Sequence, residues 1–237
     1  MLASWRVDPS VWAGVLLAGG LYAGYGGSLR RGIGAARLPK TGQVASFGLG
    51  LLVLLLALES PLDALADQTY FFVHMLQHLL LVLIVPVLLL AGMPGWLLRP
   101  VLTQRAVAPV LRLLTRPLVA TALFNTVFAV AHVPSIFDAI SANETLHAGE
   151  HLLFLATALL LWWPVLGSLE EFPRLSYPMQ MGYLFLQTLP CSIVAALITL
   201  SSSPLYQQYA VRSGGLTPVA DQQIGGLLMW IGGSLYY

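Results

Sequence analysis

Long apolar stretches, separated by short polar connections, dominate the hydrophobic pattern of this 237-residue chain. Seven stretches approach the roughly 20 residues that an α-helix needs to cross about 30 Å of hydrocarbon. They are predicted at residues 11–29, 42–58, 68–91, 117–133, 145–167, 177–201 and 221–237. The pattern therefore predicts an all-α, polytopic membrane helix bundle of about seven transmembrane helices, and residues 1–237 are interpreted as a single integral membrane domain.

The basic residues fall in alternate connections of this bundle. Short loops rich in lysine and arginine stay cytoplasmic. Such loops hold Arg30, Arg31, Arg37 and Lys40, then Arg99, Arg105, Arg112 and Arg116, and finally Arg174. The opposite connections carry acidic residues and only Arg6 and Arg212 as basic ones. The N-terminus is therefore predicted to lie outside.

The two ends of the chain and one long connection need separate predictions. The start, "MLASWRVDPSVW", lacks the basic-then-apolar order of a cleavable signal peptide, so the first span is expected to remain. The last span runs to Tyr237, and a cytosolic tail is expected beyond it. Residues 92–117 mix leucines with arginines and are predicted to lie in the membrane interface.

Composition supports the membrane prediction and excludes several classes of protein. Of all residues 57% are hydrophobic and 9% charged, against roughly 25% charged in an ordinary soluble domain. The net charge of +1 argues against a nucleic acid as a binding partner. The single cysteine excludes a disulfide within the chain and a cysteine-rich zinc site.

Histidines supply the candidate chemistry. All five fall in the predicted outer half of the membrane, where ionisable groups are rare and mostly functional. Residues four apart share one helical face, so two pairs each present two imidazoles in one direction. The predicted metal ligands are His74, His78, His132, His147 and His151. A single histidine at a helix end, such as His132, is more often an interfacial hydrogen-bonding residue.

Residue type alone leaves the metal open, because neutral imidazole binds copper, zinc, iron and nickel. Met75, Cys191 and Met229 lie where they are candidates for additional soft ligands, and Met179 and Met181 lie near the inner face. Thioether and thiolate favour Cu(I), although methionine mostly fills gaps in packing. Copper, as Cu(I), is the predicted metal, with zinc or haem b as alternatives.

Several polar residues are candidates for orienting the ligands or for giving the metal access. The acidic stretch "ESPLDALAD" contains Asp63 and Asp67, which either gather cations or form a solvated loop. Gln77 lies between the first two histidines, and Glu150 is placed to orient an imidazole or relay protons. The sequence "HAGEH" at 147–151 also fits a zinc-hydrolase pattern in which Glu150 activates water, a minor alternative.

The order of these motifs resembles a known family. The segments "ESPLDALADQTYFFVHMLQHLLL", "AHVPSIFDA", "LHAGEHLLFLATALLLWWPVLG" and "DQQIGGLLMW" are similar to the polytopic bacterial cytochrome c oxidase assembly proteins often called CtaG, of the caa3-oxidase type. The resemblance spans about residues 55 to 235. By motif it adds Asp221 and Gln222, the D-Q element, to the five histidines as residues of interest.

The resemblance implies a multi-pass protein of the bacterial inner membrane that is not an enzyme. Its implied role is to help copper reach a haem-copper oxidase, with the oxidase subunits and a periplasmic copper donor as partners. The sequence leaves a homodimer open.

Two other classes compete with this reading. Five histidines are enough for two axial haem b pairs, but a chain of haems across the membrane would need a second pair near the cytoplasmic side. A transporter would need polar groups along an inward path, and few are found there: Asn125, Gln180, Gln187 and Thr188.

Overall fold

Helices dominate the described part of the chain in the computed structural model, which covers residues 5–32, 38–210 and 215–237, with only the backbone described for 25–32. No strand occurs in these ranges, which confirms the predicted all-α class. The elements are α1 (Pro9–Gly32), α2 (Thr41–Glu59), α3 (Pro61–Gln68), α4 (Phe71–Leu79), the π-helical turn π1 (Leu80–Ile84), α5 (Val85–Gly92), α6 (Gly95–Leu102), α7 (Ala108–Leu114), α8 (Pro117–Ala131), α9 (Pro134–Ser141), α10 (Glu144–Leu166), α11 (Tyr177–Leu200), α12 (Gln207–Ala210), α13 (Pro218–Leu227), the π-helical turn π2 (Leu228–Gly232) and α14 (Gly233–Tyr236).

Four helices within the described ranges are long and apolar enough to cross a membrane. They are Thr41–Glu59, Phe71–Gly92, Glu144–Leu166 and Tyr177–Leu200. Helices α7 and α8 meet the same condition together but are bent by 73°, so the number is five if they form one span. Length and composition thus support a membrane protein with four to five spans. The number of seven and an outward N-terminus stay predictions.

Ion pairs and hydrogen bonds sort the connections into two ends of the bundle. The backbone N–H of Arg6 donates to the carbonyl of Glu59 at 2.9 Å, and its guanidinium lies 3.8 Å from Glu144. At the other end, Arg99 pairs with Glu171 at 2.9 Å. This is the grouping of connections that the charge pattern predicts. Of the arginines used for that prediction, Arg37 and Arg212 and the side chains of Arg30 and Arg31 lie outside the described residues.

Glycines set the closest helix contacts. A β-carbon at Gly92 in α5 would overlap the backbone of Phe47 in α2, while the hydroxyl of Tyr22 in α1 donates to the Gly92 carbonyl at 3.0 Å. On the other side of the bundle, a β-carbon at Gly225 in α13 would overlap the ring of Phe71 in α4. Small residues therefore allow backbones to approach where side chains would separate them.

The long central helix Phe71–Gly92 widens into a π turn because of a proline. Pro86 has no N–H to offer the carbonyl of Val82 four residues earlier. The indole N–H of Trp162 in α10 donates to that carbonyl instead, at 3.0 Å. The N–H of Val85 reaches back five residues to Leu80, which closes the wide turn. Such turns are frequent at functional sites, and this one begins directly after the second predicted ligand of α4.

Candidate metal centre

Two helices bring four of the five histidines together. His74 and His78 project from α4, and His147 and His151 project from α10. One ring nitrogen from each lies within 4.8 Å of the corresponding nitrogen of the other three. The ring centroids are 5.1 Å apart for His74 and His147, and 5.3 Å apart for His78 and His151. We call this group the four-histidine site.

The separations fit one metal ion. At metal–nitrogen bonds of about 2.1 Å, two nitrogens on one ion lie up to about 4.2 Å apart. Small rotations of the side chains therefore bring all four nitrogens onto a single ion. The four imidazoles are buried, each with at most 8% of the residue exposed.

A tyrosine fixes the tautomer of His74. The hydroxyl of Tyr209 in α12 donates its only hydrogen to the carbonyl of Ala66 at 2.6 Å. Its oxygen must therefore accept the contact from His74 Nδ1, 3.2 Å away. The Nδ1 atom of His74 carries the proton, and Nε2 keeps its lone pair for a metal.

A carboxylate fixes the tautomer of His147 in the same way. The Nδ1 atom of His147 lies 3.2 Å from Asp67 Oδ1, and Arg6 pairs with the other oxygen of Asp67 at 2.8 Å. Burial alone would raise the pKa of Asp67, but the hydrogen bonds from His147 and Arg6, together with the charge of Arg6, keep its pKa below the ordinary value. Asp67 is thus an ionised acceptor that holds the ring and leaves Nε2 free to bind.

Each of the four histidines has at least one buried ring nitrogen without a hydrogen-bond partner in the described structure. The buried ring nitrogens without a partner are Nε2 of His74, His147 and His151, and both ring nitrogens of His78, of which one can turn to a shared ion. A buried polar group without a partner costs free energy, and the cost is larger in hydrocarbon than at a surface. A metal ion would satisfy one nitrogen of each of the four rings at once, so the residues present fit a metal.

His132 lies beside the four-histidine site rather than in it. It follows α8, and its Nδ1–H donates to the carbonyl of Phe128 at 2.7 Å. Its ring centroid is 6.3 Å from that of His78. The Nε2 atom is buried without a partner in the described structure. The five predicted ligands therefore divide into a group of four and one neighbour.

The family is decided by comparison with known proteins. The family model described as cytochrome c oxidase caa3 assembly factor matches residues 20–237. The chain belongs to this family. The resemblance found in the motifs is thereby confirmed.

Individual relatives share less than a third of their residues with this assembly-factor chain. An uncharacterised protein of Mycobacterium bovis is 29% identical over 251 residues, covering 97% of the chain and 37% of the relative. One from Mycobacterium leprae is 25% identical over 244 residues, covering 95% and 36%. The chain thus spans little more than a third of the length of these relatives. No solved structure gives a significant match.

In this caa3 assembly-factor chain, Glu150 is buried but stands apart from the histidine rings. Neither of its carboxylate oxygens has a hydrogen-bond partner among the described residues. Its carboxylate is also outside the group of atoms that lie within 4.8 Å of one another. The acceptor that orients an imidazole is Asp67.

Asp63 and Gln77 connect helices rather than touching the rings. The side-chain amide of Gln77 donates to the carbonyl of Ala57 at 2.8 Å and to Asp63 at 2.9 Å. Asp63 also accepts from Arg6 at 3.1 Å. These contacts tie α4 to α2 and α3, which positions the ligand-bearing turn of α4.

The D-Q element of the family also acts on the backbone. Asp221 in α13 accepts from the N–H groups of Phe71 and Phe72 at 2.8 and 3.0 Å, and so caps the start of α4 from another helix. Gln222 accepts from the N–H of Leu205 at 2.7 Å and donates to carbonyls nearby. Both residues hold the scaffold of the site.

The three candidate soft ligands are brought together elsewhere. Met75, Cys191 and Met229 line one small cavity that also touches His78 and His132. Met179 and Met181, in contrast, are 60% and 75% exposed on α11 and contact neither group.

A large apolar groove gives access to the four-histidine site from the side. It has a volume of about 1360 Å³ and runs between α1, α2 and α10. Its polar end contains Asp67, His147 and His151, and its other end reaches Leu111 and Thr115. The site can therefore be approached without unfolding the helices that form it.

Sequence reasoning missed the groups that fix the imidazoles. Tyr209 lies in a connection without any motif, and the carbonyl of Phe128 carries no sequence signal at all. Arg6 was used only to count charge, yet it pairs with both Asp63 and Asp67. Long-range contacts of this kind become visible only when the helices are packed.

Proposed function

We propose that this assembly factor binds copper at the four-histidine site and delivers it to a haem-copper cytochrome c oxidase, acting as a carrier rather than an enzyme. One observation carries the proposal. Two histidine pairs on different helices converge within 4.8 Å in a buried place, with their facing nitrogens unpaired. The role of the family in assembling an oxidase makes copper, which the oxidase contains, the metal of choice.

The geometry argues against haem b. Two axial imidazoles bind haem iron from opposite faces of a flat macrocycle, which must pass between them. Here the other two imidazoles occupy that plane, because all four nitrogens lie within 4.8 Å. This spacing favours a single ion over a porphyrin. Between copper and zinc, the neighbouring thioethers favour Cu(I).

The position of the site suits exchange at one face of the membrane. His74 and His147 each lie three residues into their helices, about 5 Å along the axis, and His78 and His151 lie about 10 Å along. We infer that this end is periplasmic in the bacterial inner membrane, with the N-terminus outside and seven spans completed by α1, α8 and the helix that begins at Pro218. A periplasmic donor would then supply the ion.

The large apolar groove provides a route by which the copper ion can leave the four-histidine site. A carrier needs ligands that hold the ion selectively and release it, and neutral imidazoles exchange more readily than a closed thiolate cage. His147 and His151 line the groove, whose walls are mostly apolar and suit a transmembrane subunit of the oxidase. We infer that the oxidase approaches here and that residues 1–237 act as one domain.

The decisive experiment compares histidine variants in cells. His78→Ala and His151→Ala are each expected to lower severely both the copper that copurifies and the oxidase activity. The double variant should be little worse than either single one, because the two residues share a partner. Met179→Leu is the control, since that side chain is 60% exposed and lies away from the group, and it should copurify with as much copper as wild type.

Two results would overturn the proposal. One is a full copper content in His151→Ala with normal oxidase assembly. The other is a Soret band in the purified wild-type protein, which would indicate haem. A reporter fused at Lys40 that is active only outside the cytoplasm tests the orientation, and a strong signal there would reverse it.

A further inference from the structure

A second cluster of potential ligands adjoins the four-histidine site. A cavity of about 30 Å³ lies between α4, α8, α10, α11 and the terminal helix. This volume is enough for one water molecule or one ion. Met75, His132 and Met229 line it, and we call these three residues and their cavity the sulfur pocket.

His132 is prepared to bind an ion in this pocket. Its Nδ1–H is committed to the Phe128 carbonyl at 2.7 Å, so Nε2 carries the lone pair. That atom is buried and has no hydrogen-bond partner in the described part of the chain, and the residue is 6% exposed. A histidine with only a structural role would be satisfied at both nitrogens.

Two thioethers share the cavity with this imidazole. Met75 is fully buried and Met229 is 5% exposed, and both belong to one apolar cluster. Methionine often fills gaps in a core. Here, however, the two side chains border an unfilled cavity, next to an unpaired nitrogen, so gap filling does not account for the arrangement.

We propose that the sulfur pocket is a second Cu(I) site, with His132, Met75 and Met229 as ligands. The inference rests on the proposed function, since it assumes that the cargo is copper. The rest of the wall is mostly apolar, with Leu79, Val82, Leu83, Phe124, Phe128 and Phe154; Tyr237 and Cys191 also line it, but no aspartate or glutamate does. The cost of burying an ion grows with the square of its charge, so the pocket favours a monovalent soft ion over zinc.

His78 connects the two sites. It belongs to the four-histidine site and also lines the cavity of the sulfur pocket. Copper passes between them by ligand exchange: the four Cu–N bonds of the four-histidine site break, and bonds to His132, Met75 and Met229 form, so the ion goes from four ligands to three. The oxidation state stays Cu(I), and no proton moves, because all ligands are neutral. Cys191 lines the same cavity but already contacts Gln187 and Asn125, so we assign it no bond to copper.

The test loads the purified full chain with Cu(I) under anaerobic conditions in competition with a chromophoric chelator. Met75→Leu and Met229→Leu are each expected to bind one copper ion fewer than wild type, and the copper X-ray absorption spectrum should lose its sulfur scatterers. Leucine replaces methionine at similar volume, so the fold should persist. Met179→Leu is the matched control, because that methionine is 60% exposed and distant from the pocket.

The outcomes separate the two proposals. If the methionine variants keep the wild-type number of ions and the same spectrum, or if the wild type shows no sulfur scatterer, the sulfur pocket is refuted while the four-histidine site stands. If His151→Ala keeps every ion, the four-histidine site fails instead. Zinc titration adds a further check, since zinc should occupy one site fewer than Cu(I), and equal occupancy would contradict a soft second site.

Discussion

Asp67 provides the sharpest prediction about how the protein holds its metal. Its carboxylate accepts from Nδ1 of His147 at 3.2 Å and pairs with Arg6 at 2.8 Å. A negative charge on that side of the ring increases the basicity of the nitrogen that faces the metal. Asp67→Asn removes the charge but keeps an acceptor of the same size, whereas Asp67→Ala removes both.

The expected loss follows from this difference. Removing a group that orients a metal-binding histidine typically weakens metal affinity about 10–100-fold. The Asp67 side chain is 19% exposed, so water screens part of its effect. We therefore expect about a tenfold loss for Asp67→Asn, or about 1.4 kcal/mol, and about a hundredfold loss for Asp67→Ala, or about 2.7 kcal/mol.

Competition with a chromophoric Cu(I) chelator measures this Kd directly on anaerobic protein in detergent. The matched control is Glu144→Gln, which removes an acidic charge 3.8 Å from Arg6 on a side chain that is 96% exposed. It should leave the Kd nearly unchanged. If both Asp67 variants bound copper as tightly as wild type, the orienting role would be wrong. An equal loss in Glu144→Gln would instead indicate a general effect of charge.

Two further predictions concern single hydrogen bonds. Trp162→Phe leaves the Val82 carbonyl unsatisfied and should lower the free energy of unfolding by about 1–3 kcal/mol in a denaturant titration. Adding Pro86→Ala restores a backbone N–H to this carbonyl and should make the loss of stability smaller. An equally large loss in the double variant would contradict the explanation of the π turn. Tyr209→Phe should weaken copper binding about tenfold, because the tautomer of His74 is then no longer fixed by a hydrogen bond. Tyr206→Phe loses only a hydrogen bond to a backbone carbonyl and should not weaken copper binding. Equal effects of the two variants would count against a specific role of Tyr209.

The helices and the histidine pairs could be predicted because their signals are local. Apolar length marks a span, and a spacing of four residues places two imidazoles on one face whatever lies around them. That α4 and α10 should pack side by side is a property of the whole bundle. It depends on contacts such as Gly225 against Phe71 and Trp162 against Val82, which join residues distant in the chain.

The roles of the polar residues could not be predicted as well, because they also depend on contacts between residues that are distant in the chain. A buried carboxylate next to two histidines, as in "HAGEH", suggests an orienting or catalytic group, yet Glu150 makes no hydrogen bond to either ring in the described structure. The group that orients His147 comes from α3, 80 positions earlier. Asp221 likewise lies far along the chain from the helix that it caps. Spacing in the sequence constrains residues on one helix and says little about partners from another.

The distribution of satisfied and unsatisfied groups separates scaffold from site. Gln222 has its side-chain oxygen and nitrogen both bonded, as expected for a residue that holds two segments together. His74, His132 and His147 are each bonded at Nδ1 and left open at Nε2. A bundle selected for stability alone would lose these imidazoles, since each open nitrogen costs free energy in hydrocarbon and an apolar side chain would not. The protein fixes one side of each ring and leaves the other unpaired, which is the arrangement that a ligand set requires.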